Sequence, residues 1–268
     1  MKKIILAASV LFVMSCATNP FTGAKTMALV NDNSLFPSSF QQYDAFLKEH
    51  KVIKGTADAK RVENVGKKIR AAAEKWLDAH GYKGYLAQYQ WDYNLVDDKE
   101  VNAWCMPGGK IVFYTGILPI CQDDAGIATV MGHEVAHALA NHGQQRMSAA
   151  MLQQAGAEVL NAATTNSKAQ TKDLLKAAYG GGSNVLGMLP FSRSHESEAD
   201  KIGLTLMAIA GYNPDTAVAF WSRMGAQSSG GEPAEFMSTH PSNQTRIDNL
   251  KRLIPEAKAE AAKYGVKF

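Results

Sequence analysis

Apolar residues recur with a helical period over most of this chain and with a strand period in one stretch. Val62, Val65, Ile69, Ala72, Ala73 and Trp76 are spaced by three and four and predict a helix over 57–79; a weaker stripe predicts another over 36–50. Ile127, Val130, Met131, Val135, Ala138 and Leu139 surround a helix that opens at Asp123 and Asp124, which offer an N-cap and favourable first-turn charge. Residues 141–143, Asn-His-Gly, offer its stop. Ile202, Leu204, Leu206 and Met207 continue a helix capped at Ser192 or Ser194. A further amphipathic helix spans Asp215 to Met224, and a last one follows residue 246. Strand alternation is confined to Tyr89, Trp91, Tyr93 and Leu95 and to two runs, Val101 to Cys105 and Lys110 to Thr115, that flank a turn at Met106-Pro107-Gly108-Gly109. Three strands among many helices predict an α+β fold, mainly α.

The ends and the middle of the chain read differently. Lys2 and Lys3 precede an eleven-residue apolar run, Ile4 to Met14, too short for a stable span, so 1–15 reads as a signal peptide. Val13-Met14-Ser15-Cys16 resembles a bacterial lipobox, with Cys16 the residue to carry lipid. Residues 16–34, polar with Pro20 and Gly23, then suit a tether, and 35–268 is the folded domain. Residues 144–190 are rich in Ala, Gln and Gly and predict helices at about 145–162 and 168–179 before a glycine hinge at Gly180 to Ser183, a candidate lid over a cleft. No apolar run there reaches the roughly 18 residues that cross a bilayer.

Composition narrows the function classes. With 268 residues and 46% hydrophobic content the chain can bury a core of respectable size. The net charge of +3 falls to +1 without Lys2 and Lys3, which leaves no basic footprint for nucleic acid. Cys105 and Cys121 form an even pair that an oxidising compartment could bridge, although sequence does not show that they meet.

The chemistry lies in residues 132–137, Gly132-His133-Glu134-Val135-Ala136-His137. Positions four apart share one helix face, so His133 and His137 can both present an imidazole nitrogen to one zinc ion. Glu134 leans to the same side, where it can take a proton from the attacking water and return it to the leaving amine. HExxH alone does not make a site; a third ligand is required. Glu196, at the start of the next long helix, completes a two-His, one-Glu set. Asp200, one turn on, shares its face and can accept the free N–H of a ligating imidazole. His142 and His195 are read as facing away from the metal, and Ala140 and Gly143 break the three-His metzincin pattern.

Three ordered motifs, His133-Glu134-x-x-His137, Ser192-Arg193-x-x-Glu196-x-Glu198-Ala199-Asp200 and Asn102-Ala103-x-x-x-Pro107-Gly108-Gly109, together resemble one group of gluzincin metallopeptidases. That group includes the CAAX prenyl protease, HtpX and the mitochondrial Oma-type protease, and the likeness is nearest to its bacterial periplasmic lipoprotein members (BepA and LoiP). The resemblance covers roughly residues 20–255. It implies a minigluzincin-like zinc metallopeptidase domain with a small three-stranded sheet over the HExxH helix. It also implies that the Asn102, Ala103 and Trp104 strand aligns an extended substrate by main-chain pairing. The His240-Pro241 and Arg246-Ile247 pattern resembles the family too, which implies that His240 stands near the zinc, filling its fourth position at rest or stabilising the oxyanion, with Arg246 supporting it.

The expectation is a zinc endopeptidase, lipid-anchored in the periplasm and facing misfolded or unassembled envelope proteins, held at the bacterial membrane, the outer one by preference, through Cys16. A chaperone-like factor working with the outer-membrane assembly machinery, its protease activity latent, stays open as the alternative. A purely structural zinc would need no Glu134.

Overall fold

The computed structural model describes residues 16–163, 193–227, 235–241 and 243–268. A hairpin of β1 (Cys16–Thr18) and β2 (Lys25–Met27) leads into α1 (Asp32–Glu49), β3 (Val52–Ile53) and α2 (Ala57–Ala79). Then come β4 (Asp92–Val96), β5 (Ala103–Met106), β6 (Lys110–Tyr114) and a short α3 (Leu118–Cys121). Helices α4 (Asp124–Leu139), α5 (His142–Ala163), α6 (Arg193–Ile209), α7 (Thr216–Gln227), α8 (Glu235–Thr239) and α9 (Gln244–Ala262) complete the described chain.

The whole is arranged around α4. Asp123 caps it, its side chain accepting the Gly126 N–H at 2.8 Å, and every residue from Gly126 to Leu139 is buried. A helix apolar all round must be covered all round. Helices α2, α6 and α7 and strand β5 supply that cover. The closest approach is to α6. A Cβ on Gly203 would stand 2.9 Å from the Gly132 carbonyl carbon and the His133 nitrogen, and one on Gly132 would stand 2.8 Å from the Gly203 oxygen. Two glycines therefore let the backbones of the helices touch, and they do so beside the first histidine of the motif.

Among the described residues the main sheet has four strands, in the order β3-β4-β6-β5, where three were expected. Strands β4 and β6 run parallel, while β3 and β5 lie antiparallel to their neighbours. The extra strand, β3, is only two residues long and shows no alternation to detect. Tyr89 and Trp91 alternate with the strand residues but lie just before β4, stacked on one another at 5.3 Å. The β5–β6 turn is the expected one: Gly108 and Gly109 have φ of 83° and 87°, and Cβ atoms there would collide with the Phe40 and Trp91 rings. Among the described residues β5 is an edge, paired only with β6. Asn102 O accepts from Tyr114 N at 3.1 Å, so by the alternation of an antiparallel ladder the main-chain groups of Ala103 and Cys105 point to the open side.

The expected tether is structured. Residues 16–31 fold onto the body: Phe21 stacks on Trp76 at 4.3 Å, Asn19 donates to Glu198 at 3.0 Å, Leu29 N donates to Ser148 Oγ, and Gln144 Nε2 donates to Val30 O. Polar composition hid this, because the fit depends on single contacts rather than on a stripe. Cys16 is exposed in β1, and Cys105 and Cys121 are free thiols rather than a disulfide. The helix expected at about 145–162 is α5. The one expected at 168–179, the glycine hinge and the Ser192 cap lie outside the described residues, as does the signal segment. Among the described residues no helix is long and apolar enough to cross a membrane.

Candidate active site

His133 and His137 project from one face of α4, Glu196 from the first turn of α6, and His240 from just beyond α8. Their donor atoms converge. His133 Nε2 is 3.1 Å from His137 Nε2, 3.4 Å from Glu196 Oε2 and 3.2 Å from His240 Nδ1. Glu196 Oε1 is 3.3 Å from His137 Nε2 and 2.9 Å from His240 Nδ1. Four donors, each about 2.0–2.1 Å from one tetrahedral ion, stand roughly 3.3 Å apart. The four atoms lie within 4.8 Å of one another, all on buried residues, and the set of imidazoles and carboxylate is one that zinc takes.

Glu134 sits beside this group. It is buried, its Oε1 has no hydrogen-bond partner among the described residues, and His240 Nε2 is 3.5 Å from it. An unsatisfied carboxylate oxygen facing a metal-ligand cluster is where an attacking water fits. Burial raises the Glu134 pKa, only partly offset by the His240, His133 and Arg246 charges, which suits a group that must both accept and release a proton. Burial would also raise Glu196, but the surrounding imidazoles outweigh it and hold that carboxyl far below the usual range. Burial keeps His137 neutral, ready to ligate.

A second layer holds the ligands. His133 Nδ1 lies 3.0 Å from Asp200 Oδ1, and Arg246 grips both oxygens of Asp200, at 2.9 and 2.7 Å. Arg246 also reaches Glu196 Oε2 at 3.1 Å and the carbonyl oxygens of His240 and Pro241, and it lies 3.4 Å over the Trp221 ring. These contacts tie Asp200, Glu196 and the His240 turn to one guanidinium. The main-chain N–H of Phe236 donates to Val101 O at 3.2 Å, which ties the His240 segment to the start of the edge strand. Of the strand residues, Asn102 Oδ1 accepts the Ala103 N–H, and Trp104 turns away from α4 to pack on Phe46 and Tyr43. Trp104 anchors the strand; the main chain of Ala103 and Cys105 is what faces outward.

One residue set aside in the sequence is part of this layer. His142 is fully buried, with its Nδ1 2.8 Å from His137 Nδ1 and its Nε2 2.7 Å from Glu198 Oε2. On an unbroken helix, five residues on from His137 would be about 140° around. Asn141, with φ of 58°, breaks the helix and swings His142 back. Asn is among the few residues that take this conformation readily, which was the only signal available.

Known proteins bear on the site. The model of peptidase family M48 matches residues 63–254. The chain belongs to peptidase family M48. The mitochondrial metalloendopeptidase OMA1 of Saccharomyces cerevisiae is 35% identical over 204 residues, 74% of this chain and 56% of the relative. That of Schizosaccharomyces pombe is 36% identical over 177 residues, 65% and 50% of the two chains. The beta-barrel assembly-enhancing protease of Escherichia coli is 25% identical over 173 residues, 59% and 33%. The chain spans about half the length of the two yeast relatives. Both yeast relatives are named metalloendopeptidases, and the His133, His137, Glu196 and His240 group of this M48 domain could hold the metal of such an enzyme. The expected location is corrected: the relatives of highest identity named here are mitochondrial, against the reading of a lipid-anchored protein in a bacterial periplasm.

Proposed function

We propose that this M48 chain is an endopeptidase of protein quality control, cutting unfolded or unassembled proteins where a segment can lie extended along β5. The observation that carries this is the edge of β5, packed against the helix of His133 and His137, where among the described residues the main chain of Ala103 and Cys105 faces away from β6 and the Ala103 N–H is held only by the neighbouring Asn102 side chain. At the far end of the same strand, Met106 and Pro107 join Leu35, Gly143 and Met147 in lining a groove of about 470 Å³. Met147, Met151 and Leu152 of α5 are exposed there or nearby. An apolar groove continuous with an edge strand suits chains whose hydrophobic residues are uncovered, which is what distinguishes unfolded protein.

His133, His137 and Glu196 would hold the zinc, with Asp200 and Arg246 orienting His133. Bound there, zinc supplies a Lewis acid that makes water a nucleophile near neutral pH and polarises the scissile carbonyl. Glu134 accepts the proton of the attacking water and delivers it to the departing amine nitrogen. Strand β5 sets the register of the peptide across these groups. The test is the purified chain with casein, and with a stably folded protein before and after its own denaturation. Cleavage of casein and of the denatured form, with the folded form spared, is expected. Equal cleavage of folded and unfolded forms overturns the quality-control reading.

The placement of His240 favours a resting form that is closed. Its Nδ1 is the fourth of the converging donors, so it would take the position that water must hold for catalysis. His240→Ala is therefore expected to keep zinc and raise basal casein cleavage; a lower rate assigns His240 to stabilising the oxyanion instead, and an unchanged rate removes both roles. The same closed geometry supports the second reading, a chaperone-like assembly factor with proteolysis latent; the Escherichia coli relative is named for enhancing beta-barrel assembly.

A further inference from the structure

Behind the second zinc ligand runs a chain of polar groups that ends in the N-terminal hairpin. His137 Nδ1 meets His142 Nδ1 at 2.8 Å, His142 Nε2 meets Glu198 Oε2 at 2.7 Å, and Asn19 Nδ2 donates to Glu198 Oε1 at 3.0 Å. Asn19, only 1% exposed, closes the turn of the hairpin: its main-chain N–H donates to Ala24 O, and its Oδ1 accepts the Phe21 N–H. The His142 ring is held flat against His195 at 4.2 Å. The Asn141 elbow is pinned by Tyr85, whose hydroxyl accepts from Asn141 Nδ2 and donates to Leu139 O.

We propose that His142, Glu198 and Asn19 are positioning residues for the zinc ligand His137, and that the N-terminal hairpin is thereby a working part of the metal site. The proton assignments along the chain are self-consistent. His137 turns Nε2 toward the other ligands, so in its neutral form, with that nitrogen given to a metal, its proton sits on Nδ1 and is donated to His142. His142 then accepts through Nδ1, so its own proton is on Nε2 and is donated to the Glu198 carboxylate. Asn19 satisfies the other Glu198 oxygen. A carboxylate behind an imidazole fixes the ligand's tautomer and ring orientation and makes it a better donor. His133 has its own such support in Asp200 and Arg246, on the opposite side of the site. The two histidines are thus oriented from different parts of the chain. The one that depends on residues 16–31 is His137.

This rests on the reading of the site as a zinc centre, and the experiment separates the two. Zinc affinity of the metal-stripped chain from residue 16 onward is measured by competition with a chelator, and the cobalt-substituted forms are compared by their visible absorption. Parent, His142→Leu, His142→Gln, Glu198→Gln and Asn19→Ala are studied, with folding checked by circular dichroism. A parent that takes up no zinc overturns the zinc centre itself. If the parent binds, His142→Leu is expected to lose about 10- to 100-fold in affinity and to shift the cobalt spectrum. His142→Gln, which restores an acceptor for the His137 proton, should recover part of that. Asn19→Ala, a change two hydrogen bonds away from the ligand, should lose about fivefold, the net worth of one ordinary hydrogen bond. Affinities within twofold of the parent and unchanged cobalt spectra in the folded Asn19→Ala and Glu198→Gln proteins overturn the proposal.

Discussion

Glu134→Gln is expected to lower casein cleavage by about 10²- to 10⁴-fold while the protein keeps one zinc per chain. The substitution preserves shape and removes only the ability to take up a proton. Glu134 is not among the four converging donors, so the metal should be indifferent to it. Its Oε1 is buried with no hydrogen-bond partner among the described residues, so an amide placed there breaks no existing bond. The loss should fall on kcat with little change in KM, because Glu134 acts on the water in the transition state rather than on bound peptide. Zinc content by elemental analysis, with kcat and KM for one peptide, decides it. Residual activity within tenfold of the parent would remove Glu134 from the role of general base.

Gly203→Ala is expected to cost zinc binding without touching a ligand. The added methyl would sit 2.9 Å from the Gly132 carbonyl carbon and the His133 nitrogen, well inside van der Waals contact with main chain that cannot rotate away. Helices α4 and α6 must then part by a fraction of an ångström or more, at roughly 1–3 kcal/mol of overpacking. Stability is the smaller part of the effect. His133 and His137 lie on one helix and Glu196 and Asp200 on the other, and the donors now stand 3.3 to 3.4 Å apart across the crossing. Moving one helix against the other misplaces the carboxylate by about as much as a metal-ligand bond tolerates. The variant should melt lower, hold zinc more weakly by tenfold or more, and lose cleavage in proportion to the zinc it loses. A fully loaded, active Gly203→Ala protein would show that the helices do not set the ligand spacing.

Most of the converging side chains were legible because their positions are written in helical spacing. His133 and His137, and likewise Glu196 and Asp200, are four apart on helices whose apolar stripes are plain. The near-continuous apolar character around the motif also announced a central helix. What escaped is what depends on local backbone or on contact between distant segments. Asn141 gives no periodic signal, yet its positive φ redirects His142 onto His137. The hairpin of residues 16–27 is short and has no apolar stripe, and contacts such as Phe21 against Trp76 and Asn19 against Glu198 reveal that it is fixed to the body. Strand β3 has two residues, too few for alternation, and α8 has five, too few for a stripe. Arg246 was placed near the site by motif alone; its two bonds to Asp200 and its stacking on Trp221 define what it does there.

The touching glycines also separate architecture from catalysis. Neither binds metal, and neither reports on whether the ligands are still present. A sequence that kept small residues at both positions but had lost its histidines could still cross these two helices and still present β5 as a peptide-binding edge. Such a descendant would be a catalytically dead receptor for unfolded chains, recognisable by a pair of small residues where a search for HExxH finds nothing.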